Sequence, residues 1–214
     1  DGFFWHPEIS SALYARLKPT LLWLATSPKP TGRRHKEVLS NLLLCGWTLR
    51  DEQTGTRWTT SDELKSVLVN GDDDFRTQTL WQVAHWPQAE EKVSLLTEVW
   101  PKQIAARSPR VTAGLCDIPF DDEENFEVLV AAILPLVSTL EDRTLVVPSM
   151  RHPDSTILER YPQKALALLW AVLPQDATNW PYGAGDALLR ICSTEGSLLH
   201  DHRMIELLRR WNKH

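Results

Sequence analysis

Apolar positions along this chain recur mostly with helical spacing. Phe126, Leu129, Val130 and Ile133 stand at i, i+3, i+4 and i+7. Leu166, Leu169, Trp170 and Leu173 repeat the interval, and so do Met204, Leu207, Leu208 and Trp211. Each set draws an apolar stripe down one helix face. Period-two alternation is rare. It is confined to Trp47-Thr48-Leu49, Thr56-Arg57-Trp58 and Leu145-Val146-Val147. The first two flank Asp51-Glu52-Gln53-Thr54-Gly55, which admits one small β-hairpin near 47–58. The spacing predicts helices over 7–17, 19–27, 32–45, 61–69, 74–86, 88–100, 102–107, 110–117, 122–139, 154–160, 162–173, 183–193 and 200–211.

Polar residues and prolines mark the edges of these segments. Thr60-Ser61-Asp62-Glu63 reads as a capping box, and Asn70-Gly71 as the stop of the helix it opens. Asp121 to Glu124 place negative charge where a helix macrodipole favours it. Prolines at 7, 19, 87, 101, 109, 119, 135, 153, 162, 174 and 181 divide the chain into short segments. Pro135 has a second reading, a kink in a helix that continues through Leu136-Val137.

Aligned on prolines, 95–101, 129–135 and 168–174 share a pattern: two apolar residues, two of any kind, a β-branched residue, a large apolar residue, proline. The prolines are 34 and 39 residues apart. Two-helix units of that size are typical of helical solenoids. The expected fold is therefore all-α, a HEAT- or armadillo-like stack of antiparallel helices, slightly favoured over an irregular all-helical globule. Without a Gly/Ser linker, 1–214 reads as a single domain with a softer internal boundary near 70–74. Asp1 followed by Phe3, Phe4 and Trp5 suggests a segment of a larger protein.

Composition narrows the chemistry. The net charge of -5 argues against a duplex-DNA binder, which normally shows a basic face. Two basic clusters keep nucleic acid as an alternative: Arg33, Arg34 and Lys36, and Arg209, Arg210 and Lys213. Cys45, Cys116 and Cys192 lie far apart among apolar neighbours, as expected of reduced thiols in a cytoplasmic protein. No apolar stretch is long enough to span a membrane. Phosphate-loop, zinc-protease and serine-hydrolase patterns are absent, so neither a cofactor nor a catalytic residue is expected. His200-Asp201-His202 opens a helix and reads as a cap rather than a metal site; Asp72-Asp73-Asp74 and Asp121 to Glu124 read as solvated acidic caps. An unrecognised hydrolase using 72–74 or 200–202 is the remaining enzymatic alternative.

The 10 tryptophans call for a role. Trp23, Trp81, Trp170 and Trp211 fall in helical stripes and are expected in the core. Trp86, Trp100 and Trp180 each precede a proline and close a segment, with the indole N–H seeking a carbonyl. Trp5, Trp47 and Trp58 are the candidates for exposure and partner binding.

Val99-Trp100-Pro101-Lys102-Gln103, Ala105-Ala106-Arg107-Ser108-Pro109, Ile133-Leu134-Pro135-Leu136, Ala167 to Pro174, Trp180-Pro181-Tyr182-Gly183 and Leu207 to Asn212 carry a family resemblance. The stretch from Trp100 to Asn212 resembles a C-terminal helical domain of uncharacterised function in bacterial sirtuin-like antiphage defence proteins. The resemblance implies a non-enzymatic scaffold for protein–protein interaction, used in sensing or assembly. Its partner would be another domain of the parent chain, a second copy or a phage protein. Any NAD hydrolysis would reside elsewhere in that parent, because the sirtuin-like catalytic residues have no counterpart here.

Overall fold

A computed structural model describes residues 10–27, 33–101, 108–137 and 156–213, the side chains of residues 33 and 34 excepted. Among these residues the regular structure is helical throughout. The main helices are α1 (Ser11–Thr26), α2 (Arg33–Thr48), α3 (Ser61–Asn70), α4 (Asp73–Ala84), α5 (Ala89–Ser94), α6 (Pro109–Phe120), α7 (Phe126–Val137), α8 (Ile157–Arg160), α9 (Pro162–Val172), α10 (Ala184–Thr194) and α11 (His202–Asn212). Helix α5 runs on into a wide π-type turn, Leu95–Val99, which Trp100 N–H closes on the Leu95 carbonyl at 2.8 Å. The all-α expectation holds. The hairpin near 47–58 is reduced to a single antiparallel bridge, Arg50 to Arg57, and Trp47 and Thr48 end α2 instead of starting a strand.

The helix edges follow local chemistry. Thr60 and Glu63 form the expected capping box: Glu63 N–H donates to Thr60 Oγ1 at 3.2 Å, and Thr60 N–H to Glu63 Oε2 at 2.8 Å. Pro109 and Pro162 occupy first turns, where a missing N–H costs nothing. Pro19, Pro119 and Pro135 instead lie inside helices. The segments expected at 7–17 and 19–27 are thus one helix, and the continuing-helix reading of Pro135 is the one observed. Pro19 and Ala15 are both exposed, so water can serve the Ala15 carbonyl that Pro19 leaves unbonded. The three aligned prolines are not equivalent: Pro101 and Pro174 follow helix ends, whereas α7 passes through Pro135.

The chain divides into two compact units, residues 1–101 and 102–214. The polar turn at 70–74 falls within the first, between α3 and α4. Leu145-Val146-Val147 and the helix expected over 102–107 lie outside the described residues.

In the first unit α2 packs against α1, α3 and α4. Leu39, Leu43, Leu44 and Trp47 of α2, Phe75, Leu80 and Val83 of α4, and Leu64, Val67 and Leu68 of α3 are all buried and make up the unit's core. One polar seam crosses it. Ser40 Oγ donates to Thr79 Oγ1 at 3.1 Å, and Thr79 Oγ1 donates to the Phe75 carbonyl at 2.9 Å, so neither buried hydroxyl is orphaned.

In the second unit α9 is central, touching α7, α8, α10 and α11. Phe126 meets Phe120 edge-on and stacks with Tyr161, ring centres 5.4 and 5.6 Å away. Arg190 grips Glu159 with two hydrogen bonds, 2.7 and 3.0 Å, tying α10 to α8. Gly185 lets the Trp211 indole lie against the α10 backbone, since a Cβ there would come within 2.3 Å of the ring. We expect Gly185→Ala to destabilise this unit by about 1–2 kcal/mol, because half-buried Trp211 must swing out. In a Trp211→Ala background the same change becomes neutral or mildly stabilising, as alanine is the better helix former. Thermal denaturation of the four proteins checks this. An equal loss in both backgrounds would refute the contact.

Candidate functional site

The sequence-derived candidates separate sharply. Trp47 is 0% exposed, which corrects its assignment to the surface. Its ring stacks on Trp86 with centres 6.0 Å apart and planes within 3°, and the Arg57 guanidinium covers it at 3.9 Å. Its indole N–H donates to Ser61 Oγ at 3.2 Å. Trp47 is thus a structural post. Trp58 is half-buried against Tyr14, and its indole N–H has no partner among the described residues. Trp5 lies outside the described residues. The opposite correction applies to Trp23 and Trp81, expected in the core but 61% and 52% exposed. Trp170 and Trp211 are half-buried. Trp86 and Trp100 are buried; the Trp180 N–H reaches the Pro174 carbonyl at 2.8 Å, as its segment-closing role requires, but the buried Trp100 N–H finds no partner among the described residues.

The loop from 49 to 60 is pinned by its own polar groups. Asp51 accepts from the Thr54 backbone at 2.9 Å, the Thr54 hydroxyl at 3.0 Å and the Gln53 backbone at 3.1 Å, which holds its carboxyl below the usual range. Gly55 turns the chain at φ 67°. The loop returns Thr59 to α1, where the Tyr14 hydroxyl bonds Thr59 Oγ1 and donates to the Leu42 carbonyl. Burial pushes the Tyr14 phenol up to about 12, against its hydrogen bond to Thr59, which works the other way. The fold therefore favours neutral Tyr14. That contribution is fully present below the ordinary tyrosine value of 10.0 and is lost as pH climbs through about 12. In an alkaline absorbance titration we expect one of the three phenols to ionise late. Tyr14→Phe should remove that late step. A late step that survives the substitution would belong to another tyrosine.

The basic clusters are less available than their sequence suggests. Lys36 is buried and forms ion pairs with Asp72 and, at 3.7 Å, with Asp74. Its reading as a solvent-facing phosphate contact is corrected accordingly. Arg33 and Arg34 open α2, but their side chains lie outside the described residues. Arg209 and Arg210 share Glu206 at 2.9 and 3.1 Å, and Arg210 lies 5.1 Å over the Trp170 ring. Lys213 is exposed.

Asp72 and Asp201 act as caps, whereas in the acidic run 121–124 Asp122 makes no cap hydrogen bond and Glu123 instead accepts from Thr156 and Arg160. Asp72 accepts from Phe75 N–H at 2.9 Å at the start of α4. Asp201 accepts from Arg203 N–H at 2.8 Å, and its pairing with the Arg203 guanidinium lowers its carboxyl to about 2. His202 packs edge-on to Trp170, 5.9 Å between centres. The two motifs belong to different units. Among the described residues no group of three or more His, Cys, Asp or Glu could hold a metal ion. None of the three cysteines forms a disulfide, and burial raises all three thiols. No described helix is long and apolar enough to cross a membrane.

Helix α1 carries three exposed large apolar side chains: Tyr14, Leu21 and Ala25 are buried, while Leu13, Leu17 and Trp23 stand at 46%, 39% and 61% exposure. Leu22, Trp23 and Thr26 of α1 and Asp62, Glu63, Ser66, Val67 and Asn70 of α3 line a mainly apolar groove of about 540 Å³. A groove between two helices with an aromatic at its edge suits a protruding side chain of another protein. The sequence held the signal, since Leu13 and Leu17 are one turn apart, but not which face of α1 would be covered.

No family model matches the chain, and no solved structure matches it. The chain is similar to an uncharacterised protein, y4cA, of Sinorhizobium fredii (strain NBRC 101917 / NGR234), 23% identical over 168 residues. The match covers 73% of this chain and 14% of that protein, so the chain spans about a seventh of the relative's length.

Proposed function

We propose that this chain is a non-enzymatic helical domain that binds protein through α1 and the groove beside it. The observation that carries this reading is the exposure of Trp23, Leu13 and Leu17 on one helix. Large apolar groups left in water cost free energy until a partner covers them, and tryptophan is a common interface anchor. A HEAT-like arrangement of helix pairs, which displays successive helices side by side, accords with that use. The resemblance to helical domains of bacterial antiphage defence proteins supports a role in sensing or assembly, in the cytoplasm, with effector chemistry supplied by another part of a parent protein. Nucleic-acid binding has less support, because Lys36 and Arg210 are already engaged by carboxylates.

The test is capture and mass photometry of the parent protein in cells, with and without phage infection. The expected result is a defined complex that Trp23→Glu abolishes while the thermal midpoint stays unchanged. A strictly monomeric protein with no captured partner under either condition would overturn the proposal.

A further inference from the structure

The polar lining of the α1–α3 groove is chemically one-sided. Two carboxylates, Asp62 and Glu63, line it, and no cation does. Glu63 is fully occupied. It accepts from Lys18 at 2.8 Å and closes the capping box through Thr60 N–H. Asp62 is different. It is exposed, and among the described residues its carboxylate takes part in no ion pair or hydrogen bond, although Lys65 stands one turn further along α3. Trp23 is exposed too, and among the described residues no ring or cation lies against its indole.

We infer that this groove receives a basic side chain, arginine or lysine, of a protein partner, together with an apolar neighbour of that side chain. The inference rests on the protein-binding reading above and adds the chemistry of the occupant. A purely apolar segment would fill the groove but bury the Asp62 charge without a partner, which is costly. An acidic segment would meet the exposed Asp62 carboxylate, since Lys18 already answers Glu63. A guanidinium or ammonium group lying over the indole and reaching the carboxylate answers both open groups at once. Its apolar neighbour would cover half-buried Leu22.

A phage-displayed random peptide library, panned on the 214-residue chain, tests this directly. Recovered peptides are expected to carry Arg or Lys beside a large apolar residue. In calorimetry, Asp62→Asn and Trp23→Ala should each weaken such a peptide about tenfold, the scale of one lost charge-assisted contact. Asp62→Glu should retain binding, and Asp62→Asn should have no effect on a peptide whose Arg is replaced by norleucine. Both residues are exposed, so unchanged thermal midpoints control for folding. Binders without a basic residue, binders indifferent to Asp62→Asn, or no binders at all would overturn the inference. A cellular partner still captured after such a result would leave the protein-binding reading standing on another surface. Loss of the cellular partner alone would sink that reading and not the groove's chemistry.

Discussion

Replacing Gly46 by alanine is expected to cost the first unit about 3 kcal/mol of stability. A Cβ at this position would lie 2.0 Å from the Tyr14 hydroxyl oxygen and 2.6 Å from Thr59 Oγ1. Neither neighbour can yield cheaply. Tyr14 is buried, and its hydroxyl ties α1 to α2 through the Leu42 carbonyl and to the 49–60 loop through Thr59. Displacing the ring breaks both hydrogen bonds and opens the α1–α2 seam. Alanine's helix preference recovers about 1 kcal/mol, too little to offset this. A fall of about 12–24 °C in thermal midpoint should follow for a unit of this size. The mechanism predicts its own rescue: in Tyr14→Leu, which has no hydroxyl or ring at that point, Gly46→Ala should cost far less. A single variant melting within a degree or two of the parent would show that α1 yields without penalty.

Trp47→Ala should be at least as damaging, about 4 kcal/mol. The side chain is fully enclosed, with Trp86 on one side and Arg57 near its ring. Truncation leaves a cavity that rigid helices cannot collapse around. It also strips the Ser61 hydroxyl of its donor and the Arg57 guanidinium of its aromatic platform. Trp47→Phe keeps most of the volume and should lose less than half as much. Denaturant unfolding followed by circular dichroism gives the difference, and hydrogen exchange should show α2 and the 49–60 loop opening together. An alanine variant within about 1 kcal/mol of the parent would mean that the stack is ornamental.

These two neighbours show what was legible in the chain and what was not. Helices, caps and stops are local, and they were readable: the Thr60–Glu63 box and the Asp201 cap form within four residues of sequence. The fate of a tryptophan is not local. Trp47 is buried because Trp86 arrives from beyond α4, while Trp23 and Trp81 share stripes with core residues yet stay largely exposed, Trp81 with only the His85 ring against it among the described residues. Lys36 looked like part of a basic surface because its neutralising partners, Asp72 and Asp74, open a different helix. Prolines misled for a related reason. They punctuate helices unless water or neighbouring turns can serve the freed carbonyl, as at Pro19, where one helix runs through the break expected between 17 and 19. The α1–α3 groove was illegible for the same cause: its two walls, Trp23 and Asp62, belong to separate segments that each looked ordinary alone.

The wide turn at Leu95–Val99 can also be regarded as a phase shift. A π-type turn is an α-helix carrying one surplus residue. That residue rotates everything after it by about 100° relative to an uninterrupted helix. Leu95, Leu96, Val99 and Trp100 are all buried, while Thr97 and Glu98 between them are exposed. Deleting either exposed residue would leave composition almost untouched and yet turn Trp100 away from its site. The register of a buried indole thus hangs on a single solvent-facing residue, and length here is under tighter constraint than identity.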